Sequence, residues 1–273
     1  MKAPPVKSEA VLAIMTETAA TAILPRYKAL AAGDIRQKTG PNDLVTEADL
    51  ESQAILVERL GKLFPEADMV GEEGGGSEVE ACAAIAAAEW CWVIDPLDGT
   101  HNFVHGRAGF FVMVALVHQG ETKGAWIHDP LGAVSHHAVA GQGAWQGRDA
   151  LRVGRPGTLK EMTGVLYIGA KRVPALYGRL KRIQPQLGPL SFQRSAGAEY
   201  MGLAAGRIHY GIFTRLLPWD HAPGALIFRE AGGHMAYWDG EPYRPVAARP
   251  VPMLLAPDEA TWRELRETFA SDD

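Results

Sequence analysis

The run from Trp92 to Phe103, Trp-Val-Ile-Asp95-Pro-Leu-Asp98-Gly-Thr100-His-Asn-Phe, holds the side chains best suited to chemistry. Asp95 and Asp98 are separated only by Pro96 and Leu97. Two carboxylates that close repel each other unless a hard cation lies between them, and oxygen ligands of this kind suit Mg²⁺. Pro96 and Gly99 predict a tight turn after a buried strand, with Asp95 at the strand's C-terminal tip, where open α/β sheets place ligands. The N–H groups of Gly99 and Thr100, at a helix start, would then face outward and could receive phosphate oxygens. A plainer reading stands beside this one, because Asp-Pro and Asp-Gly are common turn pairs. An EF-hand does not fit: counting its twelve-residue loop from Asp95 reaches Gly106, where a Glu is required.

The elements around this run read as a compact α/β protein. Trp90 to Ile94 is an apolar run bounded by charge, hence a buried strand. Helical spacing predicts helices over Ser8–Ala31 (with a possible break at Pro25), Thr46–Phe64, Ala81–Ala88, Pro174–Ile183, Ala198–Ala205, Asp220–Glu230 and Asp258–Ala270. Strands are expected over Phe110–Val117, Lys123–His128 and Ala133–Ala138, joined by hairpin-like turns, and again over Gly164–Ile168, Ile208–Phe213 and Met253–Ala256. The sequence contains no internal repeat and no long linker.

Bulk properties narrow the function classes. At 273 residues and 47% hydrophobic content the chain can bury one large core or two joined ones. A formal net charge of −5 leaves no basic field for a nucleic-acid backbone, so no nucleic-acid partner is expected. An acidic protein that handles phosphate is consistent if cations, not Lys and Arg, neutralise it. Cys82 and Cys91 can neither build a disulfide framework nor close a zinc site. The apolar run Ala10–Met15 is too short for a membrane span, so a cytoplasmic protein with no membrane partner is expected.

Four blocks together carry a resemblance. Asp95-Pro-Leu-Asp98-Gly-Thr100 with Asn102-Phe103, Trp219-Asp220-His-Ala-Pro-Gly224, Gly71-Glu72-Glu73, and the segment from Lys38 through Asp43-Leu-Val-Thr-Glu-Ala-Asp49 resemble, in order and spacing, the signature of the inositol monophosphatase family. The resemblance implies a layered α-β-α-β-α sandwich and a lithium-sensitive phosphomonoesterase using roughly two to three Mg²⁺ ions. It further implies that Glu72, Asp95 and the Leu97 carbonyl hold a first ion and that Asp95, Asp98 and Asp220 hold a second. A third would be reached from Glu72 through water, with Lys38 near its shell. Asp49 would bond Thr100 and help activate water. A second role is open for Asp49, since Thr46-Glu-Ala-Asp49 could form a variant capping box. Asp220 could likewise be only a helix-start acid stabilised by the macrodipole.

By the same resemblance, residues 1–150 would carry most metal ligands. Residues 151–273 would supply Asp220 and the substrate contacts within one compact unit, in a homodimer. Phosphate and substrate would meet Asp98, Gly99, Thr100, Gly197, Ala198 and Glu199. The substrate would be inositol monophosphate or a related polyol or sugar phosphate. Alternatives are histidinol phosphate, fructose 1,6-bisphosphate or 3′-phosphoadenosine 5′-phosphate on the same site, or a regulatory binding protein of this fold.

The chain departs from the family in two places. Phe213 stands where a glutamate would hold substrate hydroxyls, and Gly197-Ala-Glu199 replaces a Gly-Ser/Thr-Ala segment. Glu199 could take over the lost hydroxyl contact, or simply favour a helix N-terminus. Arg194 and Arg215 could meet a second anionic group, or could be ordinary surface residues.

Overall fold

A computed structural model describes residues 3–37 and 44–270. The sequence reading of Lys38 and Asp43 falls outside these residues. The chain begins with α1 (Ser8–Thr18), the antiparallel pair β1 (Ile35–Gln37) and β2 (Leu44–Thr46), α2 (Glu47–Leu63), β3 (Asp68–Gly71), α3 (Glu78–Ala87) and β4 (Trp90–Asp98). The short helix α4 (Thr100–Val104) leads to β5 (Phe111–His118), β6 (Glu121–Asp129), β7 (Val134–Val139), β8 (Ala144–Gln146) and β9 (Asp149–Ala150). Then come β10 (Gly164–Tyr167), α5 (Pro174–Ile183), β11 (Leu190–Ser191), α6 (Ala196–Ala204), β12 (Tyr210–Phe213), α7 (Pro218–Glu230), β13 (His234–Tyr237), β14 (Met253–Ala256) and α8 (Glu259–Ala270).

Two sheets organise the molecule. The larger is seven-stranded, in order β3 to β9, with β3 parallel to β4 and the rest an antiparallel meander. The smaller runs β11-β10-β12-β14-β13. Side chains alternate across a strand, so each sheet can bury both faces if helices cover them. On one face of the large sheet Trp92 and Ile94 of β4 and Val112, Val114 and Leu116 of β5 pack with Val11 and Met15 of α1 and Leu56 and Leu60 of α2. On the other face Phe111 and Met113 pack with Tyr200 and Leu203 of α6 and Leu226 and Phe228 of α7, which also meet Phe213, Met253 and Leu255 of the small sheet. The small sheet's outer face buries Tyr210, Ile212, Leu254 and Ala256 under Leu176 and Leu180 of α5 and Trp262, Leu265 and Phe269 of α8. The order is therefore α-β-α-β-α, as the resemblance implies.

Several boundaries move for identifiable reasons. The first helix stops as a regular α-helix at Thr18 and continues as a wide turn over Ala19–Ile23 and a tight one over Leu24–Arg26, because Pro25 has no N–H for the ladder. Helix α6 starts two residues earlier than its spacing implies because Ser195 caps it, its hydroxyl accepting the Ala198 N–H. Cys82 and Cys91 are buried free thiols, pushed by burial to about 11 and about 12. No helix among the described residues is long and apolar enough to cross a membrane.

Candidate active site

The expected tight turn at Asp95-Pro-Leu-Asp98 is instead a bulge inside β4. Asp95 pairs with Met113 and Asp98 with Phe111, so β4 carries one more residue than β5 between these pairs. In a regular strand, residues at i and i+3 point to opposite faces. The extra residue cancels that alternation and sends both carboxylates to the face that carries Met113 and Phe111, where α6 and α7 lie. Pro96, which has no N–H to give, sits where the ladder is already broken. Gly99 follows with φ 80°, and a Cβ there would stand 2.5 Å from the Gly109 carbonyl, so only glycine fits.

Three layers converge on this strand end. From the outer layer, Asp49 in the first turn of α2 contributes one oxygen to each role that the sequence leaves open. Its Oδ2 accepts the Thr46 N–H (2.8 Å) and hydroxyl (2.6 Å), closing a capping box with the Ala48 N–H on the Thr46 hydroxyl. Its Oδ1 faces the Thr100 hydroxyl at 3.0 Å, and that hydroxyl also lies 2.9 Å from the Leu97 carbonyl. From the middle layer, Asp220 enters in the first turn of α7, just after Pro218. Glu72 follows β3, whose Gly71 is in register with Ile94, and it therefore stands beside Asp95.

The middle layer also anchors Asp98. The Ser195 hydroxyl (2.5 Å) and the Gly197 N–H (2.8 Å) donate to its Oδ2, and the Ala196 N–H (2.9 Å) donates to Oδ1. Gly197 and Ala198, expected to meet substrate, thus turn their N–H groups to Asp98 and Ser195. The role of Ser195 is not read from the sequence, although its position ahead of a helical run is the signature of an N-cap. Ser52, also unforeseen, fixes the bulge by donating to the Pro96 carbonyl at 2.8 Å.

Electrostatics define the cluster. Burial pushes Asp95 well above the ordinary carboxylate range, and the charges of Glu72, Asp98, Asp220 and Asp49 push it further. Asp220 rises for the same reasons, with burial largest and then Glu72 and Asp98, while Arg215 and a hydrogen bond with Asp95 oppose the rise. Burial raises Asp98 to about 6 against its three donors, and raises Asp49 to about 6 against Thr46 and Thr100. Glu72 acts on all four. Among the described residues no three His, Cys, Asp or Glu side chains form a closed ligand set as they stand. Asp98 is turned to Ser195 and the α6 backbone, and a bond between the Asp95 and Asp220 carboxyls requires a shared proton. An all-oxygen donor set under this much mutual repulsion suits a hard divalent cation and no soft one.

Beside the carboxylates opens a cavity of about 340 Å³ reaching from Asp98 and Asp220 to Tyr167, Phe213, Arg194 and Arg215. Tyr167 and Phe213 are in register at the ends of the parallel strands β10 and β12, their rings stacked at 5.8 Å and 7°. Phe213 also stacks on Tyr200 at 5.9 Å. Glu199, expected at a hydroxyl-binding position, is fully buried beneath this wall. Its oxygens are taken by the Gln193 N–H (2.7 Å), the Ser191 hydroxyl (3.0 Å) and the Tyr167 hydroxyl (3.3 Å). A carboxylate so engaged supports the Ser191–Arg194 loop, and unlike Asp98 it does not line the cavity.

Comparison with known proteins agrees with this architecture. The profile described as the inositol monophosphatase family matches residues 7–272. The chain belongs to the inositol monophosphatase family. That places it among phosphoric monoester hydrolases acting on small phosphorylated substrates. An inositol-1-monophosphatase of Bacillus subtilis is 34% identical over 77% of this chain and 78% of its own length. A putative Nus factor SuhB of Neisseria meningitidis is 32% identical over 73% and 76%. The solved structure of a Thermotoga maritima IMPase covers 94% of each chain with a TM-score of 0.80 and 25% identity.

Proposed function

We propose that this family member is a magnesium-dependent phosphomonoesterase that hydrolyses a small phosphorylated metabolite directly with water. The observation that carries this reading is the meeting of Asp95, Asp98, Asp220 and Glu72 at one strand end, where burial and then the Glu72 charge raise each of the three aspartates. Glu72, Asp95 and the Leu97 carbonyl would hold one Mg²⁺, and Asp95, Asp98 and Asp220 another; a third would be reached from Glu72 through water. Bound magnesium would make water a better nucleophile and screen the charge of the phosphoryl oxygens.

The chain's own groups would do the rest. Ser195 and the α6 N–H groups keep Asp98 aimed along the bulge. Asp49, its pKa raised to about 6, can hold a proton passed through the Thr100 hydroxyl 3.0 Å away. The first-turn N–H groups of α4, from Gly99 and Thr100, would meet phosphate oxygens. Residues 1–150 would thus supply most ligands and residues 151–273 Asp220 and the leaving-group wall, in a cytoplasmic homodimer that needs no nucleic acid for catalysis.

Inositol 1-phosphate and other polyol or sugar phosphates are the first substrates to assay, with histidinol phosphate, fructose 1,6-bisphosphate and 3′-phosphoadenosine 5′-phosphate beside them. Phosphate release that requires Mg²⁺ and falls with Li⁺ supports the reading; no release from any ester with Mg²⁺ present overturns it. A second reading, a regulatory binding protein, draws on the name of the Neisseria relative. The same assay separates the two, since that role needs no turnover.

A further inference from the structure

The large sheet has a second bulge, and this one aims a cation. In β6, Thr122 pairs with Val117 and Gly124 with Leu116, so Lys123 between them has no partner on β5. An extra residue of this kind redirects its side chain, and such bulges gather at functional sites. Lys123 is only 5% exposed, although lysine is rarely buried unless paired. Its ammonium donates to Glu121 at 2.5 Å, and that carboxylate is itself mostly in water. Glu121 is its one acceptor among the described residues, and an ammonium has three N–H groups to satisfy.

Lys123 lines a cavity of about 450 Å³, larger than the one beside the carboxylates and at the opposite end of α7 from Asp220. Arg229 and Arg244 line it too, as do the apolar Leu226, Met235, Pro242 and Tyr243. Arg244 is seated against Gly120, donating to the Gln119 carbonyl at 3.0 Å. A Cβ on Gly120 would stand 3.2 Å from that guanidinium nitrogen and 2.8 Å from Val246, so glycine makes room for it. Both acids of the cavity are engaged: Glu121 by Lys123, and Glu230 by the N–H groups of Gly141 (2.9 Å) and Gly143 (3.0 Å). The last-turn carbonyls of α7, which would repel an anion, accept from Ala231, Gly232 and Gly233. Arg229 makes no hydrogen bond among the described residues, yet its charge, with those of Lys123 and Arg244, holds the Glu121 carboxyl below its ordinary value. What the cavity has left for a ligand is positive charge beside an apolar surface.

We propose that this cavity is a second ligand site, taking a small organic oxyanion at the far end of α7. Its carboxylate or phosphate-like group meets Lys123, Arg229 and Arg244, and its apolar body lies against Leu226, Met235 and Tyr243. The site needs no metal and stands apart from the phosphomonoesterase reading.

The test titrates the full chain calorimetrically with phthalate and with phenylphosphonate, which has no ester bond to cleave, both with Mg²⁺ and without it. Binding should have a Kd on the order of 1 mM or tighter and should persist without Mg²⁺. Neutral phthalamide should bind at least about tenfold more weakly, as expected for a lost charge-assisted contact. Binding by only one of the two anions supports the site and distinguishes carboxylate from phosphate-like ligands. Lys123→Met keeps the packing of the stem and leaves Glu121 in water, and Arg229→Gln changes an exposed side chain, so both variants should fold. Each should weaken anion binding about tenfold while leaving the ligand-free melting curve and Mg²⁺-dependent phosphate release unchanged. No binding of either anion by wild type, or binding unmoved in both variants, overturns the proposal. Binding that appears only with Mg²⁺ places the anion at the carboxylate end and overturns it as well.

Discussion

The carboxylate end and the leaving-group wall of one cavity are built by opposite means. At the carboxylate end, position comes from the backbone: a bulge aligns Asp95 with Asp98, a helix start presents Asp220, and a strand end presents Glu72. On the leaving-group wall, position comes from side chains holding side chains, with Glu199, Tyr167 and Asn102 fixing the loop that carries Arg194. The first design tolerates almost no substitution, because each group is both placed and needed. The second can change residue by residue while the phosphate chemistry stays in place. A fold of this kind can keep one reaction and vary the molecule on which it acts.

Asp95→Asn tests the first design most severely. It removes the carboxylate shared by both proposed ion positions, and activity should fall on the order of 10³-fold at saturating Mg²⁺. The fold should not suffer in proportion, because the change also removes a buried charge repelled by Glu72, Asp98 and Asp220. Without divalent ions the variant should melt no lower than the wild type. Near-normal turnover, or an unfolded variant, would remove the contrast drawn between the two walls.

What the sequence reveals follows the same division. The strand that delivers Asp95 and the helix starting near Asp220 are legible because periodicity and local turn chemistry determine them, although the strand runs on past Asp95 to Asp98; the proposed ligand set is read only through the resemblance. The layered order is legible through the four-block resemblance. The bulge is not, since Pro96 and Gly99 argue equally for a tight turn and only pairing with Met113 and Phe111 distinguishes the two. Ser195 and Ser52 escape notice because their partners, Asp98 and Pro96, lie far away in the chain. Glu199 is visible as an acid out of place, yet whether it faces a ligand or a loop depends on Tyr167, Ser191 and Gln193 folding over it. Two- to four-residue strands such as β8, β9 and β11 carry too few side chains to show a period.

Ser195→Ala tests the seam between the two regions, because Ser195 holds Asp98 while following Arg194 in the chain. Losing one donor to a proposed ligand carboxylate should raise the Mg²⁺ concentration for half-activation about 10–100-fold. The Ala196 and Gly197 N–H groups remain, so kcat at saturating Mg²⁺ should largely return. An unchanged Mg²⁺ midpoint would mean that Asp98 needs no such support.

The carboxylate end should also carry a pH signature that the opposite wall lacks. Asp49 and Asp98 have folded-state values of about 6, above the ordinary value of 3.8. For an acid raised on folding, the stabilisation is full below the unfolded value and is lost as pH rises through the folded one. Metal-free protein should therefore melt higher near pH 4–5 than at pH 7.5, by on the order of 5 °C. Mg²⁺ should shrink that difference by compensating the ionised carboxylates. Activity should run the other way, rising through pH 6 as the ligands ionise. A metal-free melting temperature that climbs from pH 5 to pH 7.5 would contradict the burial, and after it the repulsion by Glu72, that raises these carboxyls.

The smallest effect separates the two roles that Asp49 fills. Thr46→Ala removes the hydroxyl that bonds Asp49 Oδ2 and accepts the Ala48 N–H, but leaves the contact between Oδ1 and Thr100. Loss of such a cap costs about 1 kcal/mol, and in a chain of this size that lowers the melting temperature by about 2–4 °C. The backbone N–H of Thr46 still holds Oδ2, so Asp49 should stay oriented and kcat should fall far less than in Asp49→Asn. If Thr46→Ala instead reduces kcat as much as Asp49→Asn at full Mg²⁺, the cap itself sets the proton-handling geometry. The outer-layer helix would then belong to the catalytic end as fully as the bulge does.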